Sequence, residues 1–185
     1  AKTRDCVNSG RGDFTPCYFY QTPDFYRHIK KPDVVLVTLS LPDEHGYCSF
    51  GVSCDYTKPA AEVEGATVIA VVNPNMPRTL GDSFIHVSDI DVIVEDDTPI
   101  PELGLPKIGD VEMAIGEHIA SLVKDGDCLQ LGIGAIPDAV LKFLDDKKDL
   151  GIHSEMISDG VIDLYEKGVI NCSAKNFNRG KIVVS

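Results

Sequence analysis

The sequence predicts an α/β fold with parallel sheets, and three observations carry that reading. Two continuous β-branched runs, Asp33–Leu39 and Thr67–Val72, have the composition of strands covered on both faces, as in a parallel sheet. Past residue 108, strand-like and helix-like segments alternate with glycine punctuation, the pattern of parallel pairing through right-handed crossovers. Between the two regions, residues 99–106 hold three prolines, which resist both helix and central strand and mark a linker. Residues 1–98 therefore read as one domain portion, 99–107 as the linker and 108–185 as a second portion.

Each element follows from local residue chemistry. After the first run, Pro42-Asp43-Glu44-His45-Gly46 supplies a turn and Tyr47–Phe50 a short returning strand. Tyr56–Glu64 suits a short helix, and the second run ends at Asn73-Pro74-Asn75-Met76-Pro77. Phe84–Val87 and Asp91–Val94 read as further strand pieces. Beyond the linker, Asp110 is placed as an N-cap, and Val111, Ile115, Ile119, Leu122 and Val123 recur at helical spacing until Gly126, so these large residues are expected to face the core. Cys128–Leu131 runs as a strand into Gly132-Ile133-Gly134, and Pro137 falls where a first helical turn tolerates it. Leu150–Glu155 is the next strand, and Asp159 is placed as the cap of a helix ended by Gly168. Lys181–Ser185 reads as a strand just begun; with Ala1 rather than Met at the start, the chain is expected to be an internal portion of something longer.

Composition narrows the function classes. Lys and Arg number 17 against 29 Asp and Glu, a net charge of −12, which repels a phosphate backbone and an anionic bilayer; neither nucleic acid nor membrane is expected as a partner. With 43% hydrophobic and 25% charged residues the chain can bury a real core. Six cysteines without a Cys-x-x-Cys pair give no support to a metal site and suit reduced thiols in the cytoplasm. No apolar run approaches the roughly 18 residues of a membrane span.

Two features point to chemistry. The strand-Gly-x-Gly-helix passage from Leu129 to Leu141 presents backbone N–H groups that favour an anion, yet it lacks the third glycine of a dinucleotide site and the Gly-Lys-Ser/Thr of a P-loop. A tight turn needing small residues accounts for it equally. Glu155 falls at the carboxyl end of the following strand, where a carboxylate can attack an acyl carbon while turn N–H groups hold the oxyanion. A merely solvated glutamate is the competing reading. Asp43-Glu44-His45 reads as a turn before a metal site, His86 as a satisfied histidine before an acid/base partner of Asp89, and Arg11-Gly12-Asp13 as a turn held by an Arg–Asp pair.

These residues, taken in ordered blocks, resemble a known family. Gly10–Pro16, Leu41–Ser49, Asn73–Thr79, Gly81–His86, Gly132–Pro137 and Gly151–Met156 together are similar to the acetyl-CoA hydrolase/transferase group of class I CoA-transferases, 4-hydroxybutyrate and butyrate enzymes above all. Gly12 and Ala135 depart from residues common in that group, both towards another small side chain. The resemblance implies open, mostly parallel CoA-transferase (NagB/RpiA-like) sheets flanked by helices, with the end of a first domain and the start of a second that carries the catalytic glutamate. It implies that Glu155 is the nucleophile and that Gly132, Ile133, Gly134, Ala135 and Ile136 contact coenzyme A and form the oxyanion hole. The implied reaction moves coenzyme A between an acyl-CoA and a short-chain carboxylate through a glutamyl-CoA thioester. Coenzyme A is then a substrate, no cofactor is covalently bound at rest, no metal is involved, and a homodimer or higher homo-oligomer is expected. Acyl-CoA hydrolysis and a ligand-binding module without turnover stay open as alternatives.

Overall fold

In the computed structural model, which describes residues 2–185, the two β-branched runs pair side by side as parallel strands. They belong to a first unit that ends at Ile100; a second runs from Pro101 to Ser185. The first unit begins with α1 (Lys2–Asn8) and a helical stretch around α2 (Thr22–Asp24), continued by a π turn over Phe25–Ile29. Its sheet has the order β1 (Val34–Leu39), β3 (Thr67–Val72), β5 (Val92–Glu95), all parallel, in a register that sets Val34 beside Thr67 and Ile69 beside Val92. Two shorter strands, β2 (Tyr47–Ser49) and β4 (Phe84–His86), pair antiparallel. The core gathers Val35, Val37, Leu39, Cys48, Phe50, Val68, Ala70 and Ile85, with Ala60 of α3 (Thr57–Ala61) against them.

The expectation that Asp33–Leu39 is covered on both faces does not hold. Burial alternates along β1, and Leu36 is 75% exposed. β-branched residues suit the pleat whichever face they occupy, so a continuous run reports the strand without reporting its cover.

The second unit contains α4 (Asp110–Ala120), β6 (Cys128–Leu129), α5 (Ala135–Leu141), β7 (Gly151–Ile152) and α6 (Gly160–Glu166). β6 and β7 are parallel, and single parallel bridges, Leu150 to Ile170 and His153 to Val183, bring two further segments alongside β7. Leu144, Leu150, Ile152, Val161 and Ile170 are fully buried among Val140, Leu141 and Leu164. Each such side chain contributes about 1.5–3 kcal/mol on leaving water.

Helix α4 differs from the sequence expectation in three ways. Its N-cap is Gly109, whose N–H donates to the Glu112 carboxylate at 2.9 Å, and Asp110 is the first helical residue. The helix stops at Ala120 rather than at Gly126. Its buried residues are Gly116 and Ala120; Ile115 and, past the helix end, Val123 are half-buried, Val123 against the core, whereas Val111, Ile119 and, past the helix end, Leu122 are exposed. The reason is close helix approach: a Cβ on Gly116 would stand 2.8 Å from the carbonyl carbon of Ala139 on α5, so only the small-residue stripe fits the seam. Asp159 does occupy the N-cap position of α6, but with helical backbone angles and no side-chain bond.

Candidate active site

The site grows from the place where β6 and β7 end. Their register, Cys128 beside Gly151 and Leu129 beside Ile152, is followed by a bond from the Leu131 N–H to the Ser154 hydroxyl, so Gly132 and Glu155 each lie one residue beyond that tie. Because side chains alternate along a strand, Leu129, Leu131, Ile152 and Ser154 turn inward, while Cys128, Gln130, His153 and Glu155 are exposed on the other face. The pleat thus makes Glu155 an outward carboxylate at a strand exit. Its backbone is anchored from the far side, where Ser185 donates both its N–H and its hydroxyl to the Glu155 carbonyl at 3.3 Å each.

Across from Glu155 the chain turns through Gly132, Ile133 and Gly134 into α5, with Ala135 and Ile136 as the first two helical residues. Gly132, Ile133 and Ile136 are exposed and Gly134 and Ala135 half-buried, so the turn presents its surface to solvent. Gly134 adopts φ 121°, ψ −179°, a region that residues with a Cβ scarcely enter. The turn and the glutamate are brought together by a side chain that the sequence reading passed over. Ser154, only 8% exposed, accepts the N–H of Leu131 at 3.0 Å and donates to the carbonyl of the same residue at 2.9 Å. The signal was available: two positions after the buried Ile152, the pleat turns Ser154 inward, and a buried hydroxyl must find partners.

The exposed face of this sheet carries a hollow of about 250 Å³ lined by Gly126, Cys128, His153, Lys175 and Phe177, with the His153 and Phe177 rings stacked at 6.0 Å. Lys175 is 7% exposed, and its ammonium donates to the carbonyls of Ile152 at 2.7 Å and Lys181 at 2.8 Å. It clamps the terminal segment to β7. Arg179 donates to the Ser173 carbonyl, so this cation too serves an internal carbonyl. A larger cavity of about 440 Å³ lies apart from Glu155, floored by Leu141 and Leu164 and rimmed by Asp145 paired with Lys167.

The remaining candidates resolve into structure. Asp43 accepts the N–H groups of Tyr47 at 2.8 Å and His45 at 3.0 Å and meets Arg78 at 2.6 Å, while Glu44 and His45 pair in solvent at 3.6 Å. The Tyr47 N–H above all, with the His45 N–H and the Arg78 guanidinium behind it, holds the Asp43 carboxyl below its ordinary value against desolvation, which is second only to the Tyr47 bond and pushes the other way. Among the described residues no group of three His, Cys, Asp or Glu side chains is arranged to hold a metal ion. His86 bonds Ser88 at 2.7 Å and the His45 carbonyl at 3.1 Å rather than Asp89. The expected Arg11–Asp13 pair does not form; Arg11 donates to the Ser9 hydroxyl at 3.0 Å, a nearer acceptor in the turn after α1. All six cysteines are free, and no described helix is long and apolar enough to cross a membrane.

Comparison with known proteins adds an independent line. Residues 1–103 match the model of the acetyl-CoA hydrolase/transferase N-terminal domain. The chain is 66% identical over 184 residues to a 4-hydroxybutyrate coenzyme A transferase of Clostridium kluyveri, covering 99% of this chain and 43% of that protein. A solved 4-hydroxybutyrate CoA-transferase of Porphyromonas gingivalis is 52% identical with a TM-score of 0.85, over 92% of this chain and 44% of that one. RipA from Yersinia pestis, 36% identical, superimposes with a TM-score of 0.91 over 98% of this chain and 43% of its own. The chain spans about two-fifths of the length of the curated relatives it matches.

Proposed function

This chain belongs to the acetyl-CoA hydrolase/transferase family, and on that premise we propose that the protein carrying it transfers coenzyme A from an acyl-CoA thioester to a short-chain carboxylate, with Glu155 as nucleophile. The observation that carries the proposal is the Ser154 bridge, which sets the glutamate's strand end beside the glycine turn. Residues 1–98, 99–107 and 108–185 are proposed as the end of a first CoA-transferase domain, a linker and the start of a second.

The chemistry runs in balanced steps. A Glu155 carboxylate oxygen attacks the thioester carbonyl carbon, the C–S bond breaks, and a mixed anhydride and the CoA thiolate result. The thiolate attacks the glutamyl carbonyl, forming a glutamyl-CoA thioester and releasing the donor's acid as its carboxylate. An acceptor carboxylate then attacks that thioester, and the returning thiolate takes the acyl group from the second anhydride, freeing Glu155. In each addition the carbonyl oxygen gains negative charge, and N–H groups of the Gly132–Ile136 turn are the donors that stabilise it. Glu155 is suited to the role because it is exposed at the strand exit while its backbone is fixed. Binding of the remote CoA moiety contributes to orienting the thioester. Coenzyme A enters as substrate, and the scheme needs no resident cofactor.

The names of the two 4-hydroxybutyrate relatives favour a transferase with 4-hydroxybutyrate as carboxylate, and that of a butyryl-CoA:acetate CoA-transferase, 39% identical, keeps butyrate and acetate in the same short-chain class. The family description also names hydrolysis, in which water resolves glutamyl-CoA. Incubating the protein at its relatives' full length with butyryl-CoA and acetate separates the two. Acetyl-CoA accumulating in step with butyrate supports transfer; free CoA accumulating without acetyl-CoA contradicts it. A cytoplasmic location, which free thiols suit, and a homodimer or higher homo-oligomer belong to the same reading.

A further inference from the structure

We propose that Ser154 is a positioning residue that ends the β6–β7 ladder and holds Glu155 and the Gly132–Ile136 turn at the spacing one acyl carbon needs. The proposal rests on the reading of Glu155 as nucleophile.

A parallel ladder continues by evenly spaced bonds. The His153 N–H donates to the Leu129 carbonyl at 3.0 Å, so the next rungs would join the Leu131 N–H to His153 and the Glu155 N–H to Leu131. Neither rung forms among the described residues. Both backbone groups of Leu131 turn to the Ser154 hydroxyl, which accepts from one at 3.0 Å and donates to the other at 2.9 Å. A hydroxyl is the smallest group able to do both at once. It satisfies the two groups that the sheet's end would otherwise orphan, and water has little access at 8% exposure.

The consequence lies one residue further along each strand. Gly132 follows Leu131 and Glu155 follows Ser154, and no backbone bond joins the two strands past that tie. The strand ends are thereby tied at Leu131 and Ser154 with no rung beyond, and the role proposed for the tie is to keep room for one acyl carbon between the turn's N–H groups and the carboxylate. Removing the hydroxyl either leaves the Leu131 groups unpaired or lets the ladder zip one rung further and close that room. Both displace the two halves of the site relative to each other, and a shift of about 1 Å in such a site costs about 100-fold in rate.

The test uses the protein at its relatives' full length, with steady-state kinetics for acyl-CoA and acetate and unfolding midpoints alongside. Ser154→Ala is expected to lower kcat by roughly 10- to 100-fold while the KM for acyl-CoA stays within about threefold, the signature of an interaction that matters in the transition state rather than in binding. Ser154→Thr keeps the hydroxyl and is expected to return kcat to within about threefold of the parent. Should Ser154→Ala not fold, Ser154→Cys, a poorer donor and acceptor, is expected to be slower than Ser154→Thr. Parental kcat in Ser154→Ala, a change confined to KM, or a threonine variant no better than alanine or cysteine would overturn the proposal. Glu155→Ala is measured in parallel: full turnover there removes the nucleophile reading itself, whereas loss of turnover there beside an unaffected Ser154→Ala removes only the role of the serine.

Discussion

Gly134 shows how one residue sets the geometry of a turn. A methyl at this position meets no atom within 4 Å, so space is not the constraint; the backbone angle of φ 121° is. Gly132, two residues earlier, lacks a positive φ, and an added Cβ would meet only the Pro137 ring at an ordinary 3.6 Å. The two glycines of one motif therefore differ in what they demand. Gly134→Ala is expected to cost about 1–3 kcal/mol, and Gly132→Ala to stay within about 0.5 kcal/mol, both read as shifts in urea unfolding. Equal costs would mean that the turn relaxes and that its N–H groups are not held where the oxyanion requires them.

At the scale of elements, the turn leading from β1 to β2 is ordered by one carboxylate. Asp43 gathers the Tyr47 and His45 N–H groups and the Arg78 guanidinium, and Arg78 in turn donates to the Tyr47 carbonyl at 2.9 Å. Its carboxyl is held below the ordinary value, by the Tyr47 N–H above all. A depressed folded value means that the stabilisation is complete above the unfolded value, about 3.9, and is lost as pH falls through the lower folded one. Asp43→Asn is accordingly expected to lower the unfolding midpoint at pH 6 to 7, with the gap to the parent narrowing as the pH falls below about 3.9 and closing only below the depressed folded value. Parallel curves from neutral pH into acid would show that the turn does not depend on this charge. The turn was legible in the sequence because Pro42, Asp43 and Gly46 are turn residues, and β1 and β3 were legible because their runs have one composition throughout. The buried face of α4 was not. Gly116 and Ala120 make the seam with α5, and a pattern that seeks large apolar residues passes over the stripe where smallness permits contact. Glu155 and the turn were found as residue types at strand ends. Ser154 was not, since its function depends on a partner 23 residues away that only the register brings beside it.

The whole molecule supports one central claim. A net charge of −12 and two units with parallel sheets suit a small-molecule enzyme of the α/β class, and the family match and the 4-hydroxybutyrate relatives point to coenzyme A chemistry. The chain spans 43% of the length of the Clostridium relative, so its activity belongs to the protein at that length. The claim that Glu155 carries coenzyme A covalently is tested most directly by mass spectrometry of that protein, incubated with acyl-CoA, quenched in acid and digested. The account predicts a coenzyme A adduct on the peptide containing Glu155, lost on addition of acetate and absent in Glu155→Ala. Turnover without any adduct on that peptide, or an adduct that persists in Glu155→Ala, would contradict it.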